Sequence, residues 1–274
     1  MGIEESIREA IEKAFDFDGF VVTDLSFIAN LATGYIDSAL PIDLRLNRER
    51  NFYSKAHQLF PENFFIASET WDEFVTGCGG LIDFAGKIGR VGANRFRSSC
   101  TSGNPYFGGT RAELLQRSDN MLGLAEAKTG FLRELKARSF SVSVDDYIPE
   151  DRADDLEGLK EAALYISRLP GVCLVNPKSK KRESQILSSN KNDAIIFAKS
   201  VALSYETPVR ILNSDGDFRR IANSFYRKIK TFSRMNGFSI PENPVQTYFQ
   251  FGFDNITSFD NFPSRKQRTL AAIN

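Results

Sequence analysis

The chain has 274 residues, of which 42% are hydrophobic and 26% charged, a composition typical of a globular protein with one large core or two smaller ones. Lysine plus arginine and aspartate plus glutamate both total 35, so a net charge of zero gives no general attraction to nucleic acid. Any phosphate binding must come from a local basic patch. No apolar run is long enough to cross a membrane, and we expect no membrane partner.

Three cysteines, Cys78, Cys100 and Cys173, are widely spaced, and none belongs to a CxxC pair. His57 is the only histidine, so the sequence does not favour a structural zinc site. An odd number of scattered cysteines is typical of a reducing compartment. We therefore predict an intracellular, cytoplasmic location.

The N-terminal part of the chain predicts helices around one short strand. Residues 3–15 carry an isoleucine or phenylalanine at every fourth position, which is the period of an amphipathic helix. The β-branched run that follows predicts a strand ending at Asp24, and Ser26 would lie at the start of the next helix. Residues 41–60 are basic and helical in pattern. A second strand is predicted over 64–68.

The middle of the chain is predicted to be mostly helical. Ser68 is a plausible N-cap for a helix that carries Glu69 and Glu73. The chain then becomes glycine-rich and basic from residue 77 to about 105. Long helices are predicted over 110–137 and 151–168, and an alternating strand over 140–144.

The C-terminal third alternates in a way that is typical of α/β proteins. Residues 190–206 predict a capped helix with Asp193 near its start, residues 208–214 a strand, and residues 215–232 another helix. Helix, strand, acidic turn and helix in this order indicate a parallel sheet. The aromatic stretch 243–259 is β-prone, but its place in the fold is open.

Several acidic side chains stand where a strand ends or a helix begins. Ligands of open parallel sheets bind beyond the carboxyl ends of the strands, where such positions converge. Carboxylates gathered there repel one another, and a divalent cation relieves the repulsion. The candidate residues are Asp24, Glu73, Asp193, Asp215 and Asp217.

Three segments resemble the motifs of the PIN-domain nuclease family: VVTDLSFIANL, FFIASETWDEF and NDAIIFAKSVALSYETPVRILNSDGDFRRIA. The first resembles the opening strand with its Asp, the second the strand and helix with a Glu, and the third the C-terminal pair of acidic motifs. The match covers roughly residues 18–76 and 185–235. The long middle and the last forty residues have no counterpart in the family.

The resemblance implies an α/β fold: a PIN-like domain with a central, mainly parallel sheet flanked by helices, plus a helical insertion. We expect a discontinuous core of residues 1–76 and 177–236, a mostly helical insertion over 77–176, and an aromatic-rich extension over 237–274. It also implies a Mg²⁺- or Mn²⁺-dependent nuclease that usually acts on RNA. We expect an endoribonuclease that acts on single-stranded RNA, while DNA as the substrate and exonucleolytic cleavage stay open.

By position, the resemblance assigns the metal carboxylates to Asp24, Glu73, Asp193 and Asp215, with Asp217 as an auxiliary acid. Glu69 lies one turn before Glu73 and is an alternative ligand. One or two metal ions fit the pattern, and no histidine is needed as a general base. The small hydroxyl residues beside these acids are Ser26 and Ser214, which we expect to orient the ligands.

A nuclease also needs cations for the substrate backbone. Arg219 and Arg220 follow the acidic turn directly, and Arg95 and Arg97 lie in the glycine-rich stretch. The basic run 178–182 is a further candidate. These residues are predicted to bind the nucleic acid.

Two other functions compete with this prediction. FDFDGFV, which contains Asp16 and Asp18, superficially resembles the nucleophile motif of haloacid-dehalogenase-like phosphatases. That motif must follow an apolar strand, whereas Asp16 follows a helical pattern. The second alternative is a catalytically inactive PIN-like domain that binds RNA or protein.

Overall fold

The computed structural model divides the chain into two compact units. The helical unit comprises residues 1–11, 31–61 and 72–138, and the sheet unit comprises residues 12–30, 62–71 and 139–274. The residues that the structure describes are 3–34, 40–61, 64–93, 105–138, 144–148, 150–169, 172, 183–214, 217–251 and 255–262.

A five-stranded sheet forms the centre of the sheet unit. Its order is β2-β1-β3-β4-β5, with the first four strands parallel and β5 antiparallel to β4. The sheet confirms the predicted α/β class and its mainly parallel character. The strands are β1 (Phe20–Thr23), β2 (Phe65–Ile66), β3 (Val209–Asn213), β4 (Val245–Phe251) and β5 (Asn255–Phe262).

The strands β1, β2 and β3 are short, mostly apolar and largely buried, which is typical of parallel strands covered by helices. Val22 pairs with Phe65 on one side and with Ile211 on the other. Val22 and Ile211 belong to a core that the following helices complete with phenylalanine, alanine and leucine side chains. These helices are α6 (Ala153–Ser167), α7 (Glu183–Leu203), α8 (Asp217–Arg227) and α9 (Ile229–Asn236).

The remaining helices lie in the first half of the chain. The helical unit is held by α3 packed on α5. Tyr53 of α3 is buried at the centre and makes edge contacts with the rings of Phe74 and Phe131. These helices are α1 (Ile3–Phe15), α2 (Leu25–Gly34), α3 (Ile42–Ala56), α4 (Ser68–Ala93) and α5 (Arg111–Arg138).

A buried arginine fixes the end of α1 at the sheet. Arg210 of β3 is 6% exposed and donates to the main-chain carbonyls of Ala14 and Asp16, each at 2.9 Å. Its guanidinium also lies over the ring of Phe17. The last carbonyls of a helix lack partners within the helix and carry negative partial charge, so a cation there is favourable. The contact positions the chain just before β1.

Several sequence predictions are corrected by the observed bounds. The helix predicted over 190–206 begins at Glu183, so Asp193 lies within it and is not at its start. Ser68, the predicted N-cap, is the first residue of α4. The single helix predicted over 215–232 is two helices that meet at Lys228.

Other predicted elements are confirmed or lie outside the described residues. The helices over 110–137 and 151–168 are confirmed by α5 and α6. The glycine-rich stretch that starts at 77 is helical as far as Ala93. The predicted strand 140–144 is described only at Val144, which begins a short 3-10 turn. The stretch 243–259, which the sequence left unplaced, contains β4 and much of β5.

The two units divide the chain differently from the predicted domains. The helix α6 was predicted to belong to the insertion, yet its residues cluster with the sheet unit. Residues 31–61 were assigned to the core and cluster instead with the helical unit. Among the described helices, none is both long and apolar enough to span a bilayer.

Candidate functional site at the carboxyl ends of β1 and β3

Asp24 directly follows β1 and is held against the neighbouring strand. Its main-chain N–H donates to the carbonyl of Leu212 at 3.0 Å, which continues the parallel pairing of β1 with β3 by one residue. The residue is only 4% exposed. A carboxylate at this depth needs donors or a cation to offset its lost hydration.

Ser26 supplies two such donors. Its main-chain N–H lies 2.9 Å and its hydroxyl 2.5 Å from Oδ2 of Asp24. Ser26 is the second residue of α2, so Asp24 is the N-cap of that helix and its charge also interacts favourably with the helix dipole. The two hydrogen bonds hold the carboxylate in one orientation at the start of α2.

Ser214 connects this cap to the end of β3. Its main-chain N–H donates to the hydroxyl oxygen of Ser26 at 3.1 Å, and its hydroxyl donates to the Ser26 carbonyl at 2.5 Å. The two predicted hydroxyl positions are therefore brought together. Asp215, the next residue and a predicted ligand, lies outside the described residues.

Asn213 ends β3 and was not predicted as a site residue. It is fully buried, and its Nδ2 donates to the carbonyl of Tyr248 at 3.3 Å. Its Oδ1 has no hydrogen-bond partner among the described residues. Thr23 pairs with Leu212, so the next residue on each strand is Asp24 on β1 and Asn213 on β3. An asparagine directly after the apolar pair Ile211 and Leu212 at the end of β3 was the sequence feature that could have identified it.

Asp193 is buried on α7, the helix that packs against β3. Its exposed fraction is 6%, and its neighbours along the helix, Ala194 and Phe197, belong to the core of the sheet unit. An aspartate that interacts only with solvent is rarely buried where a helix packs on a sheet. The structure therefore replaces the N-cap interpretation of Asp193 with an inward-facing position on a long helix.

Glu69, the alternative ligand, forms an ion pair. Lys199 of α7 donates to both carboxylate oxygens of Glu69 at 2.8 Å and to the hydroxyl of Ser68 at 2.9 Å. The ammonium is 3% exposed and the carboxylate side chain 19%. The pair joins the first turn of α4 to α7 and neutralises Glu69. Lys199 was missed by the sequence analysis, because nothing in the local pattern pairs residues 130 positions apart.

The other predicted residues occupy different surroundings. Glu73 is exposed on the part of α4 that belongs to the helical unit. Asp217 is the first residue of α8 and pairs with Arg220, whose Nε also donates to the carbonyl of Val172 at 3.2 Å. Arg219 is exposed on the same helix.

The described geometry thus brings together Asp24, Ser26 and Ser214. Within the described segments, no three acidic, histidine or cysteine side chains form a group able to hold a metal ion. Comparison of the chain with protein-family models, curated proteins and solved structures finds no match. The resemblance to PIN-domain nucleases therefore remains a prediction.

The basic residues predicted in the glycine-rich stretch, Arg95 and Arg97, and the run 178–182 lie outside the described segments. Arg220 is engaged by Asp217 and by Val172 within the sheet unit. Of the predicted substrate-binding arginines that the structure describes, Arg219 is the exposed one. It follows the acidic turn on α8.

Proposed function

We propose that this chain is a Mg²⁺- or Mn²⁺-dependent nuclease that cleaves single-stranded RNA at the carboxyl ends of β1 and β3. The observation that supports it best is the hydrogen-bond chain from Ser214 through Ser26 to Asp24. This chain joins the acid after β1 to the residue immediately before Asp215. Both acids are thereby expected at one edge of one parallel sheet, where ligands of such sheets bind.

The donor set suits a hard cation, since Mg²⁺ prefers oxygen ligands and keeps several waters. Asp24 offers a buried carboxylate, and Asn213 a buried amide oxygen without a partner among the described residues. In this proposal Asp24 and Asp215 hold the ion, while Asp193, which lies in the same unit, completes the site directly or through water. When bound, the ion supplies Lewis-acid activation of water and neutralises charge at the phosphodiester.

The remaining residues position these groups. Ser26 orients Asp24 by two hydrogen bonds, and Ser214 fixes the start of the acidic turn. Asp217 and Arg220 pair across the first turn of α8 and so hold that turn. Arg219, exposed one position earlier on the helix, binds a substrate phosphate.

The phosphatase alternative has less support from the fold. Its nucleophile would have to follow a strand, yet Asp16 follows α1 and its N–H bonds to the carbonyl of Glu12. Asp16 and Asp18 are exposed and precede β1, so they lie at its amino end. Asp24 occupies the carboxyl end, which is the end where acids of parallel α/β sites gather.

The decisive test is a cleavage assay on end-labelled single-stranded RNA with Mn²⁺, comparing Asp24→Asn with Asp18→Asn. We expect Asp24→Asn to abolish cleavage and to lose Mn²⁺ binding measured by electron paramagnetic resonance. Asp18→Asn is the matched control and should retain both. Cleavage that survives in Asp24→Asn, or a wild-type protein without metal-dependent cleavage, would refute the nuclease.

An inactive RNA-binding domain predicts a different result in the same assay. The wild type would then bind RNA without cutting it at any Mn²⁺ or Mg²⁺ concentration. Binding would also be insensitive to Asp24→Asn, since no metal links that residue to the substrate.

A further inference from the structure

The segment from Phe218 to Pro241, which contains α9 and all of α8 except its first residue Asp217, has an unusual charge balance. It carries six lysine and arginine residues and no aspartate or glutamate. The whole chain has equal numbers of acidic and basic residues, so this segment departs strongly from its surroundings. Local charge of one sign produces a surface potential that net charge does not reveal.

The fold turns these cations outward. The apolar side of α8, which includes Phe218 and Phe225, is buried in the core, and α9 buries Phe232. Phe225 and Phe232 stack with ring centroids 6.2 Å apart, so both helices are anchored on the same core. The exposed cations form what we call the α8–α9 basic face: Arg219, Arg227, Lys228, Lys230 and Arg234.

Four members of this face form no ion pair within the part of the chain that the structure describes. They are Arg227, Lys228, Lys230 and Arg234. Arg234 instead donates its Nε to the carbonyl of Lys230 at 3.3 Å. Surface cations are more often balanced by nearby acids, and a cluster without them is the electrostatic feature that polyanions recognise.

We propose that the α8–α9 basic face binds the phosphodiester backbone of single-stranded RNA and leads it to the carboxyl end of β3. The assignment of the face to the substrate rests on the proposed nuclease function. Since α8 begins two residues after Asp215, Arg219 lies beside the candidate site. Arg227 lies about 12 Å further along the helix axis, so the face can follow several nucleotides.

The geometry favours RNA over a membrane surface as the partner. A membrane-binding amphipathic helix needs an apolar face that is free to enter the lipid. The apolar faces of α8 and α9 are buried in the protein core. Met235 is 73% exposed beside Arg234 and Ile240 is 43% exposed, but two separate apolar side chains provide much less insertion energy than a whole helix face.

The test measures binding of a fluorescein-labelled oligouridylate by anisotropy in EDTA, where no metal-dependent cleavage occurs. The test variant is Arg227→Ala/Lys230→Ala/Arg234→Ala in the full chain. The matched control is Lys87→Ala/Arg90→Ala/Arg111→Ala, which removes three exposed cations from the helical unit. All six positions are exposed, and thermal melting should be unchanged in both variants.

We expect the test variant to bind RNA about 10-fold more weakly, with a slope of log K against log salt that is smaller by about 2, since three contacts each contribute about 0.7. The control should bind like the wild type. If RNA binding is weakened equally in the test and control variants, RNA binding by the α8–α9 basic face is refuted. Wild-type binding to phosphatidylserine vesicles in preference to RNA, lost in the test variant, would also refute it in favour of a membrane.

The cleavage assay separates this inference from the proposed function. If the protein binds RNA through the α8–α9 basic face but never cleaves it, the result supports RNA binding by this face and refutes the proposed nuclease activity. If the test variant shows metal-dependent cleavage with an unchanged KM, the result supports the nuclease activity and refutes RNA binding by the α8–α9 basic face.

Discussion

Ser214 donates two hydrogen bonds to Ser26 across the ends of β3 and β1. The N–H of Ser214 donates to the Ser26 hydroxyl oxygen, and that hydroxyl donates in turn to Asp24. Hydrogen bonds in such a chain polarise and strengthen one another at low local dielectric. The position of the Asp24 carboxylate therefore depends, through Ser26, on Ser214, which is 188 positions from Ser26 along the chain.

The first prediction concerns this chain. Ser26→Ala removes a donor from Asp24 and an acceptor from the Ser214 N–H, so we expect a loss of about 1–3 kcal/mol in the free energy of unfolding. We also expect Mn²⁺ affinity to fall about 10- to 100-fold, because Ser26 orients a ligand. Urea denaturation and Mn²⁺ titration measure the two effects.

Ser54→Ala is the control, since its exposed hydroxyl donates only to the carbonyl of Arg50 one turn earlier. It should change stability by much less and leave Mn²⁺ binding unaltered. Equal effects of the two serine substitutions would show that the Ser26 bridge has no special role.

The second prediction concerns the ion pair of Lys199 and Glu69. Lys199→Met leaves a partly buried carboxylate without its cation, and we expect it to cost about 3 kcal/mol or more in the free energy of unfolding. Lys199→Met/Glu69→Leu should recover most of that loss, because no charge is then stranded. Chemical denaturation of both variants and of Glu69→Leu completes the double-mutant cycle.

The same ion pair also allows a test of whether Glu69, the alternative to Glu73, is a metal ligand. If Glu69 is structural, Glu69→Gln lowers stability and leaves Mn²⁺ affinity unchanged, whereas a ligand would lose affinity. A fall in Mn²⁺ affinity without loss of stability would return Glu69 to the metal site.

The sequence predicted the local elements better than the contacts between them. The strands that end at Thr23 and Asn213 were found from β-branched runs, because short buried parallel strands have few other compositions. The start of α7 was misplaced because Asn192 and Asp193 are good N-caps, whereas the helix begins at Glu183.

Other features of the structure depend on contacts between distant parts of the chain, which a local sequence pattern does not predict. Lys199 meets Glu69 only because α7 and the start of α4 lie in the same unit. The aromatic stretch after Pro244 could not be placed, since its alternation fits any strand. Its position beside β3 is set by the register of Val209 with Val245. Asn213 lacked a recognisable motif and became notable only through its burial.

The third prediction tests close packing of α6 on α9. A Cβ added to Gly158 would lie 2.3 Å from the carbonyl oxygen of Asn236, which is main chain and cannot move aside alone. Gly158→Ala should therefore destabilise the protein by about 1–3 kcal/mol. Gly77→Ala on α4 meets no atom within 4 Å, so it should stabilise by up to about 1 kcal/mol. Thermal denaturation of the two variants measures these changes in stability. A stabilising Gly158→Ala would contradict the close approach of Gly158 to the Asn236 carbonyl.

The fourth prediction concerns stability at alkaline pH. Burial first, and then the negative charge of Glu49, raise the pKa of Tyr53 well above its ordinary value of 10.0. The unfolded chain releases this proton near pH 10 and the folded chain does not. The stabilising contribution is therefore fully present below pH 10 and is lost as pH rises above it, by up to about 1.4 kcal/mol per pH unit.

Tyr53→Phe keeps the ring contacts with Phe74 and Phe131 and removes the titrating hydroxyl. Its unfolding free energy should therefore fall less steeply than that of the wild type between pH 10 and about 11, as measured by urea denaturation at each pH. Tyr165→Phe is the control, because that side chain is 59% exposed, and its profile should follow the wild type. Parallel profiles for Tyr53→Phe and the wild type would show that the Tyr53 hydroxyl titrates alike in the folded and unfolded chains, contrary to its burial on α3.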